Sequence, residues 1–202
     1  MGNHMSDVRV KGLSDLNKFL QQLPAKMEQN VLRGALRTGA NVIRDEAKRL
    51  APVAEPNALN RRRYGFYAGT LRDSIRVSAR VKDGRVTATV HAGGKTKSGA
   101  NVFYANWVEF GTAAHAIMAM QANGKNAARR LNRQAKRSGS LQIGGRFVGS
   151  VVMHPGSRAR PFMRPALDGK AQAAVLAAAD YIKKRLALKH GIDASSVEIR
   201  LE

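Results

Sequence analysis

The sequence segment most suggestive of chemistry is VEFGTAAHA, residues 108–116, which combines a carboxylate, a Gly-Thr pair and an imidazole. Glu109 and His115 are residue types that can act together as a general acid and a general base. Glu109, however, is the only acidic residue between Gly84 and Asp168, whereas catalysis by paired carboxylates requires two acids in one cleft. The segment alone therefore does not predict an active site.

The other residue types that support catalysis are scattered or missing. His91, His115, His154 and His190 form no two-histidine helix motif, and the sequence has neither a phosphate-binding glycine motif nor a nucleophile elbow. A metal site at His115 and His154 would require their strands to pair, and hydrogen-bonded structural roles are favoured for both. The lack of cysteine excludes thiol catalysis, disulfides and thiolate zinc sites. We predict no catalytic residue, no metal and no cofactor.

The chain is strongly basic, with 35 Lys and Arg against 14 Asp and Glu and a formal net charge of +21. This charge attracts polyanions at low salt, and it equally suits an assembly subunit that meets an acidic neighbour. No nucleic-acid-binding motif is present, so any DNA contact would be to phosphates, non-specific and salt-sensitive. We favour a mobile exposed loop for residues 53–69 and expect a flexible basic arm over residues 123–140. The candidate contacts with polyanions or partners are Arg61, Arg62, Arg63, Lys125, Arg129, Arg130, Arg133, Lys136 and Arg137.

A length of 202 residues is typical of one domain. Residues 1–5, MGNHM, resemble a cloning remnant, so we expect a single domain over residues 6–190 and a tail or added strand over residues 191–202. No stretch has the apolar length of a membrane span, and the start lacks the pattern of a secretory signal. We therefore expect synthesis in a cytosol.

Apolar residues at helical spacing predict three helices. A short one spans residues 14–22, a long one runs from Pro24 to Leu50 before Ala51-Pro52 stops it, and a third runs from about Pro165 to His190. The long helix should bury one broad face, formed by Val31, Leu32, Ala35, Leu36, Gly39, Val42, Ile43, Ala47 and Leu50.

Alternation of apolar and polar residues predicts a β-hairpin over residues 75–90 with a turn at Asp83-Gly84. Its predicted pairs are Val81 with Val86, Ala79 with Ala88 and Val77 with Val90, because only this register places every apolar residue on one face. Residues 103–110 should form one or two helical turns in which Trp107 anchors the core. Further strands are expected at residues 113–120 and, as a hairpin, at residues 141–143 and 147–154.

Four phrases, in this order, resemble the tail-completion or head-tail joining minor tail proteins of long-tailed bacteriophages, which are related to tail terminators. They are LRTGANVIRDEAKRLAPV, GTLRDSIRV, YANWVEFGTAAH and HPGSRARPFMRPAL. The resemblance implies an α+β fold in which long N-terminal and C-terminal helices pack on a mainly antiparallel sheet, with the basic arm as an insertion. The matching positions are Trp107, Glu109, Phe110, Gly111 and Thr112 in one phrase, and His154, Pro155, Gly156, Pro161, Phe162 and Pro165 in the other.

Such proteins are structural components of the virion and not enzymes, so the resemblance implies assembly, with a six-membered ring as the expected form, in contact with other tail and connector proteins. Glu109 would then fix the corner at Gly111-Thr112 or pair with an arginine, for which Arg160 and Arg164 are candidates. Phe162, held between prolines, would fill the chain's own core or a neighbouring subunit, and the first is favoured. The alternative function is a non-specific DNA-binding module that uses the basic arm.

Overall fold

The structure is a computed structural model that combines helices with short antiparallel strand pairs. It describes residues 10–11, 13–21, 23–55, 65–118, 142–143, 146–147, 151–190 and 200–201. The helices are α1 Leu13–Gln21, α2 Ala25–Leu50, α3 Thr70–Asp73, α4 Ala105–Phe110 and α5 Met163–His190. The strands are β1 Val10–Lys11, β2 Arg76–Lys82, β3 Arg85–His91, β4 Gly94–Lys95, β5 Asn101–Val102, β6 His115–Met118, β7 Gln142–Ile143, β8 Arg146–Phe147, β9 Val151–His154 and β10 Arg200–Leu201.

The predicted helices are confirmed to within a few residues. Helix α2 follows Pro24, whose carbonyl accepts the N–H groups of Met27 and Glu28, and it ends at Leu50 before Ala51-Pro52. Helix α5 begins at Met163, two residues before the predicted start. The sequence did not predict α3, a single turn that follows Gly69.

The hairpin of β2 and β3 has the predicted register. Val81 pairs with Val86, Ala79 with Ala88 and Val77 with Val90. Asp83 and Gly84 both have positive φ, as a two-residue hairpin turn that matches the twist of the strands requires. The alternation of apolar and polar residues therefore fixed this part of the fold.

The predicted fold class is confirmed, since long helices combine with antiparallel strands throughout the described residues. Among the described residues, the single sheet is replaced by five separate two-stranded pairs, β1–β10, β2–β3, β4–β5, β6–β9 and β7–β8. Several of these strands are only two residues long, too short to extend a ladder to a third strand. Strand β9 pairs with β6, while β7 and β8 form the small hairpin. The predicted basic arm at 123–140 lies outside the described residues.

Helix α2 packs along α5 and against both strands of the hairpin, and two apolar clusters lie around it. The first joins α1, α2 and α5, and consists of Leu16, Leu20, Val31, Ala35, Ile182 and Leu186. The second surrounds the end of α2 and consists of Ala47, Ala51, Leu71, Ile75, Val102, Ala105, Phe162 and Ala166. Leu36, predicted on the buried face of α2, is 37 % exposed because it lies off the stripe that Val31 and Ala35 bury.

The chain forms two compact units. Unit 1 comprises Met1–Glu109 and Pro161–Glu202, and it contains both apolar clusters. Unit 2 comprises Phe110–Arg160 and contains the strand pairs β6–β9 and β7–β8. The expectation of one domain over residues 6–190 stays a prediction. Within the described part of the chain, no helix has the length and apolar character needed to cross a membrane.

Candidate functional site

The Glu109 side chain is buried in unit 1, with 7 % of its surface exposed, and its carboxylate accepts three backbone hydrogen bonds. Oε2 accepts the N–H of Phe162 at 2.7 Å and that of Met163 at 2.9 Å, and Oε1 accepts the N–H of Arg164 at 3.0 Å. These donors lie 53 to 55 residues further along the chain. Glu109 therefore joins the two places at which the chain leaves unit 1 and returns to it.

This arrangement is a helix cap supplied from a distant part of the chain. The first N–H groups of a helix have no partner within the helix, and the helix dipole favours negative charge at that end. Helix α5 begins at Met163, so the carboxylate satisfies donors at its first turn. Pro165, which has no N–H, occupies the third helical position and needs no partner. The Glu109 side chain thus has a structural role as the cap of α5.

An arginine partner was one alternative for Glu109. Arg164 does contact the carboxylate, but through its backbone N–H, and the described residues include no ion pair of Glu109. The other alternative was that Glu109 fixes the corner at Gly111-Thr112, whereas the hydrogen bonds of its carboxylate go to the backbone N–H groups of residues 162–164.

Phe162 is fully buried, and its side chain belongs to the second apolar cluster, together with Ile75 and Val102. This confirms that Phe162 fills the chain's own core. Pro161, whose φ is fixed by its ring, precedes Phe162. The backbone N–H of Phe162 donates to the Glu109 carboxylate. The backbone on both sides of the side chain is therefore constrained where the ring enters the core.

Large exposed aromatic side chains lie on the opposite side of α4 and just before it. Phe103 is 61 % exposed, Trp107 53 % and Phe110 66 %. Trp107 and Phe110 lie three residues apart on α4, and Phe103 lies two residues before the helix begins. The rings of Phe103 and Trp107 meet edge to face, with centroids 5.4 Å apart. We call these three residues the aromatic stripe.

The expectation that Trp107 anchors the core is wrong. A six-residue helix buries one face, and in α4 that face carries Ala105 and Glu109, one turn apart. Because Glu109 must face the start of α5 to cap it, Trp107, midway between them, points outwards. Sequence reasoning also missed Phe103, since aromatic residues at helical spacing predict a buried face as readily as an exposed one.

Unit 2 contains a corner where the phrases FGT and HPGS meet. Thr112 and Ser157 exchange backbone hydrogen bonds of 3.0 and 3.1 Å, and their hydroxyls lie 3.1 Å apart. Gly156 has a φ of +87°, and a Cβ there would lie 2.1 Å from the Thr112 carbonyl oxygen. Gly111 has a φ of +71°, and a Cβ there would lie 2.5 Å from the Ser157 carbonyl oxygen. Only glycine fits at either position, which explains the two glycines in these phrases.

His115 and His154 face each other across β6 and β9, with ring centroids 5.1 Å apart. The His115 Nδ1 lies 3.0 Å from the Ala113 carbonyl oxygen, which can only accept, so this nitrogen carries a proton. The His154 Nδ1 accepts the N–H of Gly156, beyond Pro155, so in the neutral ring the proton is on Nε2. For the His154 Nε2 to bind a metal, the proton would have to move from Nε2 to Nδ1. There it would face the Gly156 N–H, and that hydrogen bond would be lost. The described residues contain no cluster of three or more potential metal ligands.

The basic candidates lie outside the described residues. These are Arg61, Arg62 and Arg63 in the loop, and Lys125, Arg129, Arg130, Arg133, Lys136 and Arg137 in the predicted arm. Their contact with polyanions or partners stays a prediction.

Comparison with known families gives one match. Residues 14–111 match the family described as "Bacteriophage HK97-gp10, putative tail-component". The matched residues, just under half of the chain, are similar to a bacteriophage tail component. The match extends from α1 to Gly111 and so includes Glu109 and the aromatic stripe, whereas the amides that Glu109 binds lie beyond it. No curated protein and no solved structure gives a significant match.

Proposed function

We propose that this tail component completes or terminates the tail at the head-tail joint, and that it does so as a homo-oligomer, with a six-membered ring as the expected form. The observation that carries the proposal is the exposed aromatic stripe, which lies within the segment that matches the tail-component family. In the virion tail its neighbours would be further copies of the chain and other tail and connector proteins.

Water exposure of the stripe is unfavourable, and association would relieve it. Single exposed apolar residues are common on protein surfaces, but three aromatic side chains within eight residues form a patch. Phe and Trp each bury about 150–250 Å² when fully covered, and Trp is enriched among the residues that dominate binding energy. A stable interface needs about 800 Å² from each partner, so the stripe would form its centre and polar neighbours its rim.

A ring requires that the stripe of one copy meets a different surface of the next copy, because cyclic assemblies beyond dimers use head-to-tail contacts. Contacts with the core hold α4 in place, which suits a helix that forms an interface. Ala105 and Glu109 hold one face of the helix in unit 1, and the Glu109 carboxylate is fixed by its three N–H donors. Trp107 is therefore presented in one orientation on unit 1, which lowers the entropic cost of association.

Salt dependence separates this proposal from the DNA-binding alternative. Copies that each carry a charge of +21 repel one another, and salt screens that repulsion. Assembly through aromatic side chains should therefore strengthen as salt rises. Binding to DNA phosphates should weaken steeply over the same range, because each neutralised phosphate releases counterions.

The test is sedimentation velocity of the purified full chain over a range of concentrations at low and moderate salt. The wild type should form one discrete oligomer, more readily at moderate salt. The Trp107→Ala variant should need at least about tenfold more protein to assemble, since truncating a central aromatic residue costs more than about 1.4 kcal/mol.

The matched control is Leu188→Ala, which removes an 85 % exposed apolar side chain near the end of α5. This variant should assemble like the wild type. A wild-type chain that stays monomeric at every concentration and salt would contradict the proposal, as would equal losses in the two variants.

A further inference from the structure

A groove with a volume of about 600 Å³ lies on unit 1, bordered by α2, α5 and strand β2. This volume is within the range of ligand-binding pockets. Its rim carries four cationic side chains, and Asn30 and Tyr181 add polar groups. The cationic residues are Lys26, Arg33, Arg37 and Arg185, and no Asp or Glu lines the groove.

The groove's polar and cationic residues are spaced along α2 and α5 at intervals that place them on one side of each helix. Lys26, Asn30, Arg33 and Arg37 follow one another at intervals of four, three and four residues, so they form one stripe along α2. Tyr181 and Arg185 are one turn apart on α5. Gly34 makes room for the Tyr181 ring, because a Cβ there would lie 2.3 Å from the Tyr181 hydroxyl oxygen.

These cations lack acidic partners among the residues that the structure describes. Arg33 donates a hydrogen bond of 3.2 Å to the Asn30 side-chain oxygen, which is neutral. Arg44 pairs with Asp45 and Arg49 pairs with Glu46, and both ion pairs lie outside the groove. A cleft lined by charges of one sign focuses its electrostatic field, so the groove is attractive to an anion.

We propose that this groove binds an extended acidic segment of a neighbouring tail protein through its Asp or Glu carboxylates, which presumes that the chain acts in a tail as proposed above. Lys26 and Arg37 are eleven residues apart on α2, which corresponds to roughly 16 Å along the helix axis. An extended peptide covers that distance with about five residues. The arginine fork matches the geometry of a carboxylate, so each cation can take a separate acidic side chain.

Other anions fit this distribution less well. A single phosphate ion is too compact to engage cations spread along several turns of α2. Duplex DNA presents its phosphates on a broad, stiff surface that cannot enter a pocket of this size. A short single strand could enter, with phosphates on the cations and a base against Tyr181, so it is the competitor that the experiment must include.

The experiment measures fluorescence anisotropy of a labelled hexaglutamate peptide with the purified full chain, at moderate salt and at concentrations where the chain is monomeric. The peptide should bind the wild type, and the double variant Arg37→Gln/Arg185→Gln should weaken binding at least tenfold. The control Arg80→Gln/Lys82→Gln removes two exposed charges of the hairpin that do not line the groove, and should change the dissociation constant less than twofold.

Each alternative outcome has a defined meaning. No peptide binding, or equal weakening by both double variants, would overturn the inference, because the attraction would then be absent or due to net charge alone. Tighter, groove-dependent binding of hexathymidylate would assign the groove to nucleic acid, and displacement of the peptide by an equal concentration of inorganic phosphate would assign it to a compact anion.

The variant Trp107→Ala separates this inference from the proposed function. It should bind hexaglutamate normally while its assembly is weakened. If the wild type binds the peptide but does not assemble, only the proposed ring assembly is contradicted. If it assembles but does not bind the peptide, only the proposed binding of an acidic segment in the groove is contradicted.

Discussion

The Glu109 carboxylate and the Phe162 backbone N–H are 2.7 Å apart, although 53 residues separate them in the chain. The residues between them include all of unit 2, Phe110–Arg160. One buried side chain therefore caps α5, fixes the backbone at a core phenylalanine and joins the two ends of an inserted unit. The same contact decides which face of α4 is exposed, and so connects the core to the proposed assembly surface.

Replacement of Glu109 by Gln should destabilise the protein by about 2–4 kcal/mol. The amide keeps the shape but loses the charge that the helix terminus favours, and it places an NH₂ group opposite backbone donors. Chemical denaturation of the full chain measures the effect. The control is Asp45→Asn, at a 63 % exposed carboxylate on α2, which should change stability little. Equal effects of the two variants would mean that the cap contributes no stability.

Replacement of Gly156 by Ala should disrupt the corner of unit 2 and cost about 2–4 kcal/mol locally, from the left-handed backbone and the contact with the Thr112 carbonyl. Gly84→Ala is the matched control, since its φ is +74° but nothing lies within 4 Å of the added Cβ. That variant should cost only about 1–2 kcal/mol. Hydrogen exchange at the Thr112 and Ser157 amides measures directly whether the two backbone hydrogen bonds of the corner are formed. Protection that survives in Gly156→Ala would rule out the close contact.

The Tyr67 hydroxyl donates a hydrogen bond to the Asp73 carboxylate, and this bond raises the pKa of Tyr67 above 10.0. Because the folded-state pKa is raised, the stabilisation is complete below the ordinary tyrosine pKa and is lost as pH rises through the raised value. Asp73→Asn should therefore let Tyr67 ionise at lower pH. Burial raises the pKa of Tyr104, so that residue should be unaffected and serves as an internal control. An NMR titration with labelled tyrosine distinguishes the two rings, and an unchanged Tyr67 would refute this cause.

Where local periodicity determines structure, the sequence was sufficient to predict it. The register of β2 and β3 follows from alternation because a shift by one residue would move every valine to the other face. The long helices follow from apolar spacing and from the prolines near their ends. The separation of the strands into pairs depends on which backbone groups meet in three dimensions, and no residue pattern carries that information.

The candidate site was predictable only in part. Its residues were found as phrases, and the burial of Phe162 between prolines was anticipated. The partners of Glu109 could not be predicted, because they are backbone N–H groups, which every residue except proline has. A usable signal was available: a lone carboxylate in an otherwise acid-free stretch, followed far along the chain by a proline that marks the start of a helix. The exposure of Trp107 depends on that same cap, so it could not be predicted before the cap was known.

Trp107 is the only tryptophan, so its fluorescence gives the most direct test of assembly through the aromatic stripe. Emission and iodide quenching should be recorded against protein concentration, alongside sedimentation under the same conditions. If the stripe forms the interface, emission shifts to the blue and quenching falls in step with the rise in mass. Assembly that leaves Trp107 as accessible to iodide as in the monomer would contradict the account.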